Sequence, residues 1–227
     1  MTAMKRNLPA LLLALSVLLC CARGACRYED YADLEPGAWY EEPVRYCLDR
    51  ELMVGSGTAR LRFYPHDAMT RSQLVTILWR MDGQPVTGLA MQYVDVADTE
   101  WYAEAARWAL SEHLMEGCTA AIFAPNEPVT REQLVSILWH YAEHRNGHPL
   151  DKAPASLYER SSDRDKVSPY AVEAMRWACS AGIVAGEWGR TGTVWLRPAA
   201  LADRAAVAAT LMRYCHNLVV YPTGPLK

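Results

Sequence analysis

Several signatures of chemistry are missing from this chain. There is no CxxC pair of the kind that builds a zinc site, no GxSxG nucleophile elbow and no HExxH metal helix. Acids are plentiful, but apart from one recurring aspartate they form no paired-carboxylate pattern of the kind glycoside hydrolysis needs. There is no excess of positive charge: 23 Lys and Arg stand against 26 Asp and Glu, a formal charge of −3. A broad electrostatic field for nucleic acid or anionic lipid is therefore excluded, and any anion site must be local. The single long apolar run, Leu8 to Leu19, is too short to cross a membrane comfortably.

That run has a different meaning. Lys5 and Arg6 precede it and CCARGA follows it, which is the layout of a secretory signal peptide over residues 1–24, cut after Gly24 or Ala22. Removing it deletes Lys5, Arg6 and Arg23 and takes the charge from −3 to −6. Five cysteines then remain: Cys26, Cys47, Cys118, Cys179 and Cys215. Export permits disulfides, but the odd count and the spacing favour small buried residues with at most one bridge.

The chain repeats itself. MTRSQLVTILWRM (69–81) and VTREQLVSILWHY (129–141) agree at eight of thirteen positions. Upstream, YADLEPGAWYEEPVRYCLDRELMVG (31–55) aligns with YVDVADTEWYAEAARWALSEHLMEG (93–117), and SSDRDKVSPYAVEAMRWACSAGIVAG (161–186) is a third copy. RFYP, IFAP and WLRP follow in turn, each with Thr70, Thr130 or Asp203 five residues after its proline. A period of about sixty residues predicts stacked units that cannot bury their apolar faces alone. The unit boundaries are 25–85, 86–150 and 151–217, with a tail at 218–227.

Local chemistry predicts two helices per unit. Thr70 with Gln73 and Thr130 with Gln133 form capping boxes, and Asp203 is a cap whose partner position holds Ala206. Leu74, Ile77, Leu78 and Met81 recur at helical spacing, as do Leu134, Ile137, Leu138 and Tyr141. Gly55, Gly117 and Gly186 are expected to end the first helices in left-handed turns. Trp79, Trp139, Trp108 and Trp177 fall on apolar faces.

One feature opposes helix physics. Arg71, Arg131 and Arg204 each follow the cap directly, where the helix dipole is positive and a cation costs about 0.3–1 kcal/mol. An external anion in front of the helix accounts for this, met by free backbone N–H groups and a guanidinium. The competing account is internal: Asp33, Asp95 and Asp163 recur once per unit and could pair with these arginines. Trp39, Trp101 and Tyr170 stand at the starts of the first helices, where an indole suits a sugar ring.

Together these motifs resemble the S-layer homology (SLH) domain, in three tandem copies over residues 28–216. The resemblance implies a mainly α fold: three helix-loop-helix repeats in a pseudo-threefold arrangement around a central helical bundle. It implies a non-catalytic cell-wall anchor that binds acidic, often pyruvylated, secondary cell-wall polysaccharide on peptidoglycan in grooves between neighbouring units, with no cofactor. The expected location is the surface of a Gram-positive-type cell. Carried over residue by residue, the ligand contacts are Arg71, Asp33, Trp39 and Gly55 in the first unit. The second has Arg131, Asp95, Trp101 and Gly117. The third has Arg204, Asp163 and Gly186, with Tyr170 in place of Trp. The family's motif glutamate is Gln73, Gln133 and Ala206 here, so the third unit departs furthest. The repeats are expected to stand without a catalytic domain, with any cargo held non-covalently.

Three rivals remain. A hydrolase would have to house one asymmetric centre on three near-identical units. A metal could sit on His140, His144 and His148, at i, i+4 and i+8, but HExxH is absent and solvated surface histidines are the better explanation, so no metal is expected. The grooves could also bind a protein partner.

Overall fold

The computed structural model describes residues 26–56, 60–115, 117–146 and 156–218; the segment expected to be a signal peptide, His148 and the tail from 219 lie outside them. The fold is mainly helical. In chain order the α-helices are α1 (Glu41–Asp49), α2 (Arg71–Met81), α3 (Ala103–Ser111), α4 (Arg131–Asn146), α5 (Ser156–Arg160), α6 (Val172–Ser180) and α7 (Arg204–Leu218). A two-residue hairpin, β1 (Glu187–Trp188) and β2 (Val194–Trp195), is antiparallel, with Glu187 opposite Trp195.

The capping chemistry is visible at each long helix. Thr70 Oγ1 accepts from Gln73 N–H while the Gln73 amide oxygen accepts from Thr70 N–H. Thr130 and Gln133 repeat this, and Asp203 accepts from Ala206 N–H at 2.7 Å. The faces so started are buried: Leu74, Leu78 and Leu138 are fully enclosed, and Tyr141 and Tyr214 meet at 6.0 Å between ring centroids. Trp108 and Trp177 lie against this tyrosine pair from α3 and α6.

The long helices pair between sequence units, while short α5 packs on α6 within the third. α2 packs on α3, α4 on α6, and α7 returns to pack on α1. The last pairing closes the chain into a ring. The closure is also written in the backbone, just before the three caps. Met69 N–H donates to Ala202 O (2.8 Å), Ala202 N–H to Val129 O (2.9 Å) and Val129 N–H to Met69 O (2.9 Å). These three buried residues surround the pseudo-threefold axis.

The glycine expectation needs correction. Among the first helices, the left-handed residues past the end are Glu51 (φ 54°), His113 (φ 54°) and Gly182 (φ 69°). In each case the following residue's N–H reaches back to a carbonyl of the last turn: Leu52 to Cys47, Leu114 to Ala109 and Ile183 to Ala178. Gly55 and Gly117 lie beyond this turn without left-handed φ; close approach makes them glycine. A Cβ on Gly55 would sit 2.2 Å from Arg62 O and 2.3 Å from the Tyr31 ring. Gly55→Ala should therefore cost about 1–3 kcal/mol in urea unfolding, in the range of overpacking. Gly88→Ala, with open space around it, is the control and should change stability by about 0.5 kcal/mol or less.

Cys47, Cys179 and Cys215 are buried in the core. Burial pushes the Cys47 thiol far above its ordinary value and Cys179 to about 12, so neither is poised as a thiolate.

Candidate groove beside Arg131

The aspartates and arginines meet through a peptide rather than directly. Asp33 accepts from Phe63 and Tyr64 N–H at 2.8 and 2.7 Å. Asp95 does the same for Phe123 and Ala124, and Asp163 for Leu196 and Arg197. The carbonyl of the first residue in each pair then accepts from an arginine Nε of another unit. Arg204 reaches Phe63 O, Arg71 reaches Phe123 O and Arg131 reaches Leu196 O, at 2.8–2.9 Å. The second residue of each pair is held left-handed: Tyr64 (φ 59°), Ala124 (φ 57°) and Arg197 (φ 50°). Side chains with a Cβ resist that conformation, so the bidentate aspartate offsets a local strain.

The helix starts are occupied as well. Arg71 and Ser72 N–H donate to Glu127 and Pro125 carbonyls of the second unit. Arg131 and Glu132 donate to Ala200 and Pro198 of the third, and Arg204 and Ala205 to Asp67 and Pro65 of the first. Two parts of the sequence reading are thereby corrected. The first N–H groups are not free for an outside anion. Asp33, Asp95 and Asp163 serve backbone amides rather than direct Arg–Asp locks. The cations are tolerated because neighbouring carbonyls lie against the positive helix ends and the guanidiniums find carbonyls of their own.

The three arginines then diverge. Arg204 is 7% exposed; its second nitrogen donates to Val54 O and its guanidinium lies 4.6 Å from the Phe63 ring centre. Burial pushes its pKa below the ordinary value. Arg71 is half-buried over Phe123, 5.0 Å from the ring centre. Arg131 has Leu196 where the other two have phenylalanine, and 24% of its side chain is exposed.

Arg131 opens on a groove of about 390 Å³. Gly186 and Glu187 of the third unit line it, with Asp203 and Arg213 from the start and flank of α7. Ile183 and Ala206 contribute apolar surface, and Trp39, from the first unit, closes one side. A side chain at position 186 would sit 2.4 Å from Val194, so the wall there is bare backbone. Glu187 is the groove's own anion: it lies 3.8 Å from Arg131 and 2.5 Å from Arg197 Nε.

The remaining expected contacts fall elsewhere. Trp39, Trp101 and Tyr170 are about 60% exposed, but only Trp39 lines this groove. Tyr170 OH donates to buried Glu132, which also accepts from Ser168 N–H and hydroxyl. The groove thus draws on all three units; the sequence reading expected grooves between neighbouring units but grouped the contact residues unit by unit. Two contributors were missed. Arg213 had a signal, since it and Arg80 occupy the same place ten residues into their helices. Glu187 had none, because it sits in the variable stretch of the third unit. His144 lies within 3.7 Å of Asp82 and 3.5 Å of Glu112, a clasp between helices; no metal-competent cluster occurs among the described residues.

Comparison with known proteins agrees with this picture over part of the chain. An exoglucanase, XynX, of Acetivibrio thermocellus is 22% identical over 173 residues, covering 76% of this chain and 15% of the enzyme. The surface-layer 125 kDa protein of Lysinibacillus sphaericus is 25% identical over 182 residues, covering 80% of this chain and 14% of that protein. Cell surface glycoprotein 1 of A. thermocellus is 26% identical over 142 residues, 58% of this chain and 6% of its own length. The chain thus spans a small fraction of each of these relatives. Two of its segments, residues 30–75 and 92–135, match the S-layer homology domain.

Proposed function

We propose that this chain is an exported, non-catalytic wall-anchoring module. It holds acidic, pyruvylated secondary cell-wall polysaccharide in the groove beside Arg131, with the third segment acting as a third S-layer homology unit. The observation that carries the reading is the partly open Arg131 guanidinium, in a groove that also offers Arg213, bare backbone at Gly186 and the Trp39 indole. A pyruvate ketal supplies a carboxylate for the guanidiniums, and a sugar ring supplies an apolar face for the indole.

Further support comes from the relatives. Surface-layer and cell-surface proteins share this stretch with an enzyme such as XynX, which fits a common attachment module better than a common activity. The cell surface of a Gram-positive-type bacterium is the corresponding location. No described helix is long and apolar enough to cross a membrane.

Sedimentation with purified wall sacculi tests the proposal. The protein should pellet with native sacculi and remain in solution once the pyruvate ketals are removed by mild acid. Equal pelleting with both would sink the polysaccharide reading and favour a protein partner in the wall.

A further inference from the structure

We propose a second saccharide subsite for the same acidic polymer, in the cleft formed by Lys166, Trp195 and Arg197 on the far side of Glu187. It rests on the wall-polymer reading of the Arg131 groove. The cleft measures about 300 Å³ and is separate from that groove, yet one ion pair joins them. Alternation along the chain decides this. Leu196 lines the Arg131 groove, while its neighbours Trp195 and Arg197 line the second cleft.

The side chains are positioned by fixed backbone. Arg197 is held in its left-handed conformation by the Asp163 carboxylate, which accepts its N–H at 2.8 Å. Trp195 is half-buried and packs on Gly189, where a Cβ would come within 2.7 Å of the ring. Lys166 ends the short turn Arg164–Lys166, tied by its N–H to Asp163 O, and its side chain is exposed. Asp163 also lines the cleft, but both its oxygens accept backbone N–H groups, so its charge is directed inward. Two cations and an aromatic edge are the chemistry of an acidic sugar.

Glu187 makes the two clefts one path. Its carboxylate sits between Arg131 and Arg197 and already pairs with both, so an acidic residue of the polymer binds at either guanidinium by taking its place there. A short oligosaccharide with more than one acidic residue spans both, whereas a single sugar fills one.

The test is isothermal titration of the full chain with two probes. One is a methyl hexopyranoside carrying a 4,6-pyruvate ketal; the other is a set of oligosaccharides released from pyruvylated wall polymer. Lys166→Glu and Trp195→Leu should leave affinity for the single sugar within about twofold of wild type. Each should weaken the oligosaccharides about tenfold, as loss of one charged or stacking contact would. Lys166 is exposed, so its variant keeps the test open if Trp195→Leu folds poorly. Wild-type oligosaccharide affinity in the Lys166 variant, alongside loss of binding in Arg131→Ala, would overturn the subsite and spare the anchor. If Arg131→Ala also binds normally, both fall.

Discussion

Arg204→Ala should lose about 3–5 kcal/mol of stability, the largest effect expected of any single arginine here. The substitution strips buried Phe63 O of its donor, at about 1–3 kcal/mol, and removes the part-buried bond to Val54 O, at about 0.5–1.5 kcal/mol. It also removes a guanidinium from the face of Phe63, worth roughly another 1 kcal/mol. A domain of this kind holds about 5–15 kcal/mol in total, so much of the margin would go. The damage falls on the ring closure, because Arg204 ties the last unit to the first. Urea unfolding monitored by tryptophan fluorescence gives the measurement. A loss below about 1 kcal/mol would show that the carbonyls find water and that the clasp is unimportant. Arg204→Lys keeps the charge but carries its donors on one nitrogen, where Arg204 reaches the two carbonyls from Nε and Nη2, so it should fall between wild type and Ala.

Arg131→Ala should behave in the opposite way. Its stability cost should be about 1 kcal/mol, for the single bond to Leu196 O on a partly exposed side chain. Relief of the helix dipole offsets some of this, at about 0.3–1 kcal/mol. Binding to acidic wall polymer should fall about 10- to 150-fold, since a hydrogen bond to a charged group is worth about 1.5–3 kcal/mol. Sedimentation with sacculi and a parallel urea curve separate the two effects. Unchanged binding with lost stability would make Arg131 a structural clasp like Arg204 and leave the groove without its cation.

One neighbouring side chain differs between these two arginines. In the first and second units the carbonyl that the arginine reaches belongs to a phenylalanine, whose ring covers the guanidinium. In the third unit it belongs to Leu196. Three copies of one motif thus serve two ends, with all three locking neighbours together and Arg131 also facing a groove. The aspartates show the same economy. Each stabilises a left-handed residue and, through the same peptide, orients an arginine from another unit.

Much of this was legible in the order of residues. The sixty-residue period, the capping boxes at Thr70 and Thr130 and the apolar stripes from Leu74 and Leu134 follow from local rules, because a cap and a 3.6-residue period act within one or two turns. The mainly helical architecture follows from them. The anomaly of an arginine at each helix start was also plain.

The resolution of that anomaly lay in three dimensions. Hydrogen bonds between Arg204 and Phe63, or among Met69, Val129 and Ala202, join residues far apart in the chain, and no local pattern records which carbonyl a guanidinium will find. Nor did spacing reveal that Trp39 of the first unit would stand beside Arg131 of the second. That follows from α7 folding back on α1 to close the ring, which brings the ends of the repeat array together. Local propensity wrote the helices; burial and the need to satisfy every enclosed N–H and carbonyl decided how the three units interlock and which arginine was enclosed.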